Sequence, residues 1–360
     1  MFDKDLKLTN TKGILIFLVV FGHFLELNKE HYLQTFIFIY AFHMPLFVFI
    51  SGFLAKRIQM KKVVNLFMLY IIFQTLYSLF FYFVGEYETM KFNYEKPIFH
   101  LWYIVSISFW YVLAVIIAKL NPNNIGKLIL FTLILLISFF SRLYTDPLVN
   151  FTIELYPNFS SYTLSYQRTI TFAPFFFAGF FMSNNALKKL YISLSPNIAK
   201  GLLLLSAMGV FLFIEFTPNL EWLYKGSYST SSFLSDNETY VTKILSHFLL
   251  STWLSILILI VINGKKSFLT KWGDHSIGIY LFHPVFVFMW EKINFMNDWN
   301  VDTQFIVNLM IALIVTTFLS SNFFTSNFRF LTSPVETIKP LLKGRYAKGW
   351  TSLFFNNKEG

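Results

Sequence analysis

Ten apolar segments follow one another along the chain, and only short polar stretches separate them. They occupy residues 13–27, 36–54, 63–84, 101–120, 128–140, 170–182, 201–216, 244–262, 276–290 and 305–324. Most approach the roughly 20 residues that a helix needs to cross a bilayer. Lipid offers no partners to backbone amides, and a barrel would need alternating polar residues, so continuous apolar runs favour helices. The sequence predicts an all-α fold, a polytopic transmembrane helical bundle of about ten spans.

The composition agrees with a lipid environment. Hydrophobic residues make up 55% of the chain and charged residues 13%, whereas soluble domains carry about 25% charged residues. No change of composition and no repeat divides the chain. We therefore predict one transmembrane domain over residues 1–330, a short basic cytoplasmic tail over residues 331–360, and a multi-pass location in the cell membrane.

The distribution of basic residues predicts the orientation. With the N-terminus inside and ten crossings, 21 of the 29 Lys and Arg residues fall on the inner side. Cytoplasmic loops of membrane proteins carry this excess, so both termini are predicted to be cytoplasmic. The same segregation accounts for the net charge of +10. No exposed segment interleaves aromatic and basic residues, and we expect no nucleic-acid partner.

Three histidines lie inside predicted spans, near mid-membrane: His23, His43 and His283. Ionisable residues are costly in lipid, usually face a bundle interior or a wet cavity, and commonly serve function. The alternative is a neutral imidazole that packs between helices through a hydrogen bond.

The sequence lacks the residues that several kinds of catalytic or metal site require. The chain has no cysteine, so thiolate ligands and a cysteine nucleophile are excluded. No pair of histidines shows the close spacing of a zinc site, and we expect no metal. There is no Gly-x-Ser-x-Gly turn, and no aspartate follows His43 or His283 at the spacing of an H-x4-D acyltransferase pattern. A histidine acting as general base on an alcohol needs neither motif.

Five segments resemble the integral-membrane acyltransferase family 3, and within it the branch related to fucose 4-O-acetylase. They are KGILIFLVVFGH at 12–23, FHMPLFVFISGF at 42–53, HLWYI at 100–104, QRTITFAPFFFAGF at 167–180 and WGDHSIGIYLFHP at 272–284. The resemblance spans almost the whole chain in the right order. It implies transfer of an acyl group, usually acetyl from acetyl-CoA, to a hydroxyl of a cell-envelope or exported carbohydrate.

The family carries a basic residue, commonly arginine, then ten intervening residues and the first-span histidine, and these residues correspond to Lys12 and His23. Lysine keeps the charge but loses the bidentate fork of arginine. The family's Arg-x-x-Arg motif at the third span corresponds to Lys62-Val-Val-Asn65, which is a departure from the pattern. The implied partners are acyl-CoA, a carbohydrate or glycan acceptor, membrane lipid and glycan-assembly proteins.

Each candidate residue has a role and an alternative. His23 is the predicted general base, while His43 and His283 orient substrate or stabilise the oxyanion. Basic residues predicted to meet the CoA phosphates are Lys12, Arg57, Lys61 and Lys62, although positive-inside topology alone explains such a loop. Residues predicted to contact substrate are Trp102, Arg168 and Tyr280; the alternatives are a belt tryptophan, a snorkelling arginine and a packing tyrosine.

Two other functions are compatible with this sequence. A transporter or flippase for a lipid-linked glycan would use intramembrane histidines as a proton relay, although the inverted repeats of such proteins are not evident. A structural or sensory partner in glycan assembly would retain the fold without chemistry, and Lys12 and Asn65 at usual arginine positions fit that alternative.

Overall fold

The structure, a computed structural model, describes residues 5–57, 59–160, 162–216, 224–226, 237–293 and 299–337. Its long helices are α1 (Leu6–Glu26), α2 (Leu33–Leu54), α3 (Met60–Phe83), α4 (Trp102–Leu120), α5 (Asn124–Leu143), α7 (Tyr166–Phe181), α9 (Pro196–Phe216), α10 (Asn237–Val261), α12 (Ser276–Ile293) and α13 (Val301–Leu319). Shorter helices are α6 (Thr145–Leu155), α8 (Asn184–Tyr191), α11 (Phe268–Asp274), α14 (Asn322–Asn327) and α15 (Arg329–Thr332). The predicted tail lies outside the described residues from residue 338 onward.

The predicted all-α, multi-span bundle is confirmed. Within the described ranges, eight helices are long and apolar enough to cross a membrane, and a bent pair, Thr163–Phe181 with Asn184–Tyr191, makes a ninth candidate. Its two parts meet at an angle of 100°. The predicted span at 276–290 is also helical, but Glu291 and Lys292 in the last turn of α12 make that helix more polar. The orientation of the termini remains a prediction.

Helix α2 packs closely against α7 through two glycines. A Cβ atom at Gly52 would lie 1.9 Å from the carbonyl oxygen of Phe176, and one at Gly179 would lie 2.0 Å from that of Phe49. Apolar side chains gain little by leaving lipid for another helix, so small residues that let backbones approach are a main source of helix association. These two glycines fix the crossing that places His43 beside α7.

Helix α2 continues through Pro45 without a break. Proline has no N–H, so the carbonyl of Ala41, one turn earlier, loses its usual donor. The hydroxyl of Ser251 on α10 donates to that carbonyl at 2.6 Å. A neighbouring helix thus satisfies the freed group, as backbone buried in a membrane requires.

Helix α1 begins earlier than its apolar run. Asp5 caps it, since its Oδ1 accepts a hydrogen bond from the backbone N–H of Leu8 at 3.0 Å. Lys12 therefore lies inside the helix, and His23 lies three residues before its end at Glu26. The helix starts seven residues before Gly13, so His23 lies near the C-terminal end of α1, whereas His43 lies at the middle of α2. The depth of the two histidines in the membrane remains a prediction.

Candidate active site

A cavity of about 260 Å³ lies among α1, α2, α4, α7 and α12, near the C-terminal end of α1. Five of the predicted site residues line it: His23, His43, Trp102, Arg168 and Tyr280. They come from five different helices, so only the folded bundle brings them together. The fold therefore supports the grouping of these side chains around one space.

His23 is held by a carboxylate on its own helix. Its Nδ1 lies 3.3 Å from Oε2 of Glu26, one turn further along α1. The other oxygen of Glu26, Oε1, accepts from Nζ of Lys225 at 2.6 Å. With Nδ1–H directed to a carboxylate, Nε2 of His23 carries the lone pair. The side chain of His23 is 14% exposed, so this base has access to the cavity.

Lys225 reaches the cavity from the short described segment 224–226. The hydroxyl of Thr171 on α7 donates to the carbonyl of Gly226 at 3.3 Å, which ties this segment to the bundle. Gly226 adopts a φ of +73°, and a Cβ there would lie 2.9 Å from the ring of Phe172. This turn places Lys225 beside Glu26.

His43 is buried at the middle of α2 and lines the cavity. Its Nδ1 donates to the carbonyl of Ile39 at 2.8 Å, which leaves Nε2 as a hydrogen-bond acceptor. The ring of Tyr40 packs edge-on at 4.7 Å between centroids. Neutral His43 thus offers an acceptor and no free N–H, which suits orientation of a substrate hydroxyl and does not suit an oxyanion.

His283 lies behind His23 and does not line the cavity. The two rings stack with centroids 5.2 Å apart, and His100 packs edge-on against His283 at 5.8 Å. His283 is fully buried, and its Nδ1 donates to the carbonyl of Ile279 at 3.1 Å. It is therefore placed to support the His23 ring, and a direct contact with substrate would require the cavity to change shape.

Trp102 and Arg168 form one unit on the cavity wall. The guanidinium carbon of Arg168 lies 5.2 Å from the Trp102 ring centroid, and Phe172 packs on the same indole at 5.4 Å. Trp102 therefore orients Arg168 in this structure. The sequence-based prediction was that Trp102 stacks on a ligand. Tyr280 donates its hydroxyl hydrogen to the carbonyl of His100, and so braces α12 against the entry to α4.

Backbone strain accumulates around the same cavity. Phe99, Leu164 and Ser165 have positive φ angles of 29°, 47° and 52° although none is glycine. Phe99, in the turn before α4, and Ser165, in the turn before α7, line the cavity, and Leu164 precedes Ser165 in the same turn. Such conformations cost about 1–3 kcal/mol each and cluster at functional sites. These strained residues support the assignment of this cavity as the candidate active site.

The residues predicted to bind CoA phosphates lie elsewhere. Lys12 is eleven residues before His23, about 16 Å along α1. Nζ of Lys61 lies 3.6 Å from Oε1 of Glu336, and Lys62 is exposed. Arg57 ends a short 3₁₀ turn, and its side chain lies outside the described part of the chain. Of these residues, Lys12, Lys61 and Lys62 do not line the histidine cavity.

A second cavity, of about 370 Å³, opens at that other end of the bundle. Lys56, Lys127 and Asn184 contribute to its wall. Lys56 donates to the carbonyl of Met182, and burial lowers the pKa of its ammonium to about 8. A half-buried, partly desolvated lysine beside a second lysine favours an anionic ligand.

Comparison with known proteins gives the family. Residues 5–323 match the acyltransferase domain family. The chain belongs to the acyltransferase family 3. The resemblance drawn from the sequence motifs is thereby confirmed, and the protein is a multi-pass membrane acyltransferase.

One curated relative is the nodulation protein NolL of Sinorhizobium fredii. It is 47% identical over 60 residues, which cover 15% of this chain and 16% of NolL. The chain thus aligns with only a small part of that relative. No solved structure matches the chain significantly.

Sequence reasoning missed Glu26, Lys225, His100 and Ser165. Glu26 follows His23 by one helical turn, which was a usable signal for a carboxylate that orients an imidazole. His100 opens the HLWYI segment but was given no role. Lys225 and Ser165 come from connecting segments whose position no local pattern determines.

No metal site is evident in the part of the chain that the structure describes. The described residues contain no group of three or more His, Cys, Asp or Glu side chains that could hold an ion. The rings of His23 and His283 stack, and His100 packs edge-on against His283.

Proposed function

We propose that this acyltransferase moves an acetyl group from acetyl-CoA to a hydroxyl of a cell-envelope or exported carbohydrate. The observation that carries the proposal is the contact of His23 with Glu26 at the wall of a cavity inside an apolar bundle. A base is required because the acceptor oxygen must lose its proton as it attacks. A positioned base of this kind contributes about 10²–10⁴-fold to the rate.

The proton balance of the reaction follows from the tautomer of His23. As the acceptor oxygen bonds to the thioester carbon, its proton passes to Nε2 and an oxyanion forms on the former carbonyl oxygen. The C–S bond then breaks, and the same proton moves from Nε2 to the departing sulfur. Glu26 stabilises the imidazolium that exists between these two steps, as an acidic partner does in serine hydrolase triads.

The oxyanion needs a donor, and Arg168 is the residue that we assign to it. It lines the cavity and its guanidinium, always protonated, is directed by the Trp102 ring. Preorganised donors at the site of developing charge are commonly the largest single contribution to catalysis. Nε2 of His43 can accept a hydrogen bond from a neighbouring hydroxyl of the same sugar, and so orients the sugar whose other hydroxyl attacks the thioester.

The donor enters from the opposite end, which the basic loops predict to be cytoplasmic. Lys56 lies 13 residues after His43 on a nearly continuous helical path, about 20 Å away along the axis. The CoA phosphates would bind near Lys56 and Lys127, and the thioester arm would extend toward His23 along α1 and α2. Lys12, about 16 Å before His23 along α1, supplies a further positive charge.

The proposal is tested with purified protein in nanodiscs, radiolabelled acetyl-CoA and a panel of carbohydrate acceptors. We expect an alkali-labile ester on at least one acceptor. His23→Gln retains a polar side chain but cannot accept the proton, and should lose about 10²-fold or more of the rate. His31→Gln is the matched control, because His31 is an exposed histidine outside the cavity.

Two results would contradict the proposal. Equal transfer by His23→Gln and His31→Gln, at matched abundance and thermal stability, would remove His23 as the base. Absence of any labelled product, together with uptake of a labelled glycan by proteoliposomes, would favour the transporter instead.

A further inference from the structure

A groove of about 900 Å³ lies beside the histidine cavity, on the face predicted to be outside. Two connecting segments form it, residues 91–96 between α3 and α4 and residues 156–159 between α6 and α7. It is larger than the cavity and more open to solvent. Nothing in the reaction at His23 uses it.

Aromatic rings and polar groups alternate along this groove. The rings belong to Phe92, Tyr94, Tyr156 and Phe159, and Asn158 and Glu95 lie among them. Phe92 and Tyr156 expose 47% and 49% of their surface. The C–H faces of a sugar ring pack on aromatic rings, while amide and carboxylate groups bond to its hydroxyls. Lys91 and Lys96 also line the groove and would suit acidic groups on a sugar. The lining therefore fits a carbohydrate chain better than an acyl chain.

One wall of the groove is held rigid by a buried glutamine on α3. Nε2 of Gln74 donates to the carbonyls of Asn93 and Lys96 at 2.6 and 3.0 Å, and its Oε1 accepts from the N–H of Ile98 at 3.0 Å. The hydroxyl of Tyr70 donates to the carbonyl of Tyr94 at 2.7 Å. A wall fixed in this way loses little entropy when a ligand binds.

The groove leads directly to the cavity. Lys96 lines the groove and the next residue, Pro97, lines the cavity. On the other side, Phe159 lines the groove and Tyr162 lines the cavity. The N–H of Leu164 donates to the carbonyl of Glu95 at 2.6 Å and joins the two segments where the groove and cavity meet.

The volumes of the cavity and the groove indicate which part of a substrate each of them would hold. Pockets that enclose a drug-sized ligand measure about 300–1,000 Å³. The cavity, at about 260 Å³, is small for that range, whereas the groove at about 900 Å³ is near its upper end. We propose that the groove binds the sugar residues next to the one that is acylated, so that the acceptor is an oligosaccharide or polysaccharide. This inference rests on the proposed function.

The test compares acceptors of different length. Nanodisc-embedded protein is applied to a glycan array that carries mono- and oligosaccharides of the same sugars, and acetyl transfer from labelled acetyl-CoA is measured on the same compounds. We expect oligosaccharides to bind roughly tenfold or more tightly than monosaccharides, which corresponds to about 1.4 kcal/mol. Phe92→Ala and Tyr156→Ala should reduce this ratio toward one. Tyr144→Ala removes an exposed aromatic ring outside the groove and should keep it.

The outcomes separate the groove from the chemistry. The proposal that the groove binds sugars is contradicted if the protein binds long and short glycans equally well. It is also contradicted if Phe92→Ala and Tyr156→Ala keep the same length preference as Tyr144→Ala. The aromatic rings would then belong to an interfacial belt. A length preference that the groove variants lose, without any acetyl transfer, would support the groove and contradict the proposed function. Thermal melting of each variant shows that a lost preference does not come from unfolding.

Discussion

Glu26 and Lys225 are 199 positions apart in the chain, and their charged atoms meet at 2.6 Å. The contact joins the end of α1 to the segment between α9 and α10, and it occupies one oxygen of the carboxylate. The other oxygen faces His23. Glu26 thus has a fixed rotamer, and the imidazole that depends on it has a fixed tautomer.

Replacing Glu26 by glutamine should lower kcat for acetyl transfer by about ten- to a hundredfold, with a smaller change in the KM for either substrate. The amide still accepts a hydrogen bond from Nδ1–H, but it cannot stabilise an imidazolium by charge. Loss of an interaction made mainly in the transition state lowers kcat more than substrate affinity. Steady-state kinetics in nanodiscs measures both constants.

Glu30→Gln is the control for this change, because Glu30 is an exposed acid in the turn that follows α1. Its kinetics should match those of the unchanged protein. If Glu26→Gln raises the acceptor KM and leaves kcat unchanged, the carboxylate binds substrate and does not support the base.

The donor site gives a second prediction. Lys56→Gln should raise the KM for acetyl-CoA roughly tenfold, because hydrogen bonds to charged groups contribute about 1.5–3 kcal/mol. Lys62→Gln, at an exposed lysine, should change it little. The pKa of Lys56 is lowered by burial to about 8, so its charge is present below pH 8 and is lost as the pH rises through that value. The donor KM should therefore rise above pH 8, and Lys56→Gln should abolish that rise.

A donor KM that is unchanged by Lys56→Gln but raised by Lys61→Gln would move the phosphate site to the loop that the sequence indicated. That result would also require the contact of Lys61 with Glu336 to open when the donor binds. Both variants remove one positive charge, so a difference between their donor KM values shows which lysine lies nearer the phosphate site.

Topology can be tested cleanly because the chain contains no cysteine. Single cysteines in place of Lys266 and Glu88, both exposed, should react with an impermeant thiol reagent from opposite faces of the membrane. The positive-inside rule predicts that residue 266 reacts only from the cytoplasmic side. Labelling of both positions from one face would contradict the orientation on which the donor and acceptor sides depend.

The helices were predictable from the sequence because lipid leaves the backbone few alternatives. Long apolar runs at α2, α3 and α13 correspond closely to the helices observed. The start of α1 was missed because Lys7 and Lys12 are polar, yet they continue the helix from the Asp5 cap. Apolarity predicts the part of a helix in lipid and not the polar turn that precedes it.

The sequence predicted that histidines would line the cavity, but it did not predict which side chains contact them. His23 and His43 are unusual residues for a membrane span, and that signal is local. The charge on Lys225 acts on Glu26 only after the connecting segments fold, so no spacing predicts it. The same holds for Asn65, whose Oδ1 accepts from the N–H of Val335 at 3.3 Å. Asn65 thus contacts a residue 270 positions later in the chain.

The close packing of α2 on α7 gives the last prediction. Gly179→Ala places a Cβ about 2.0 Å from the carbonyl oxygen of Phe49, which must move for the side chain to fit. Overpacking of this kind costs about 1–3 kcal/mol, and the helix that moves carries His43, so we expect both a lower melting temperature and lower activity. Gly209→Ala is the matched control, because a Cβ there meets nothing within 4 Å and alanine favours a helix over glycine by about 1 kcal/mol. If thermal melting in detergent shows equal stability for the two variants, the two helices are not held at the distance on which the cavity depends.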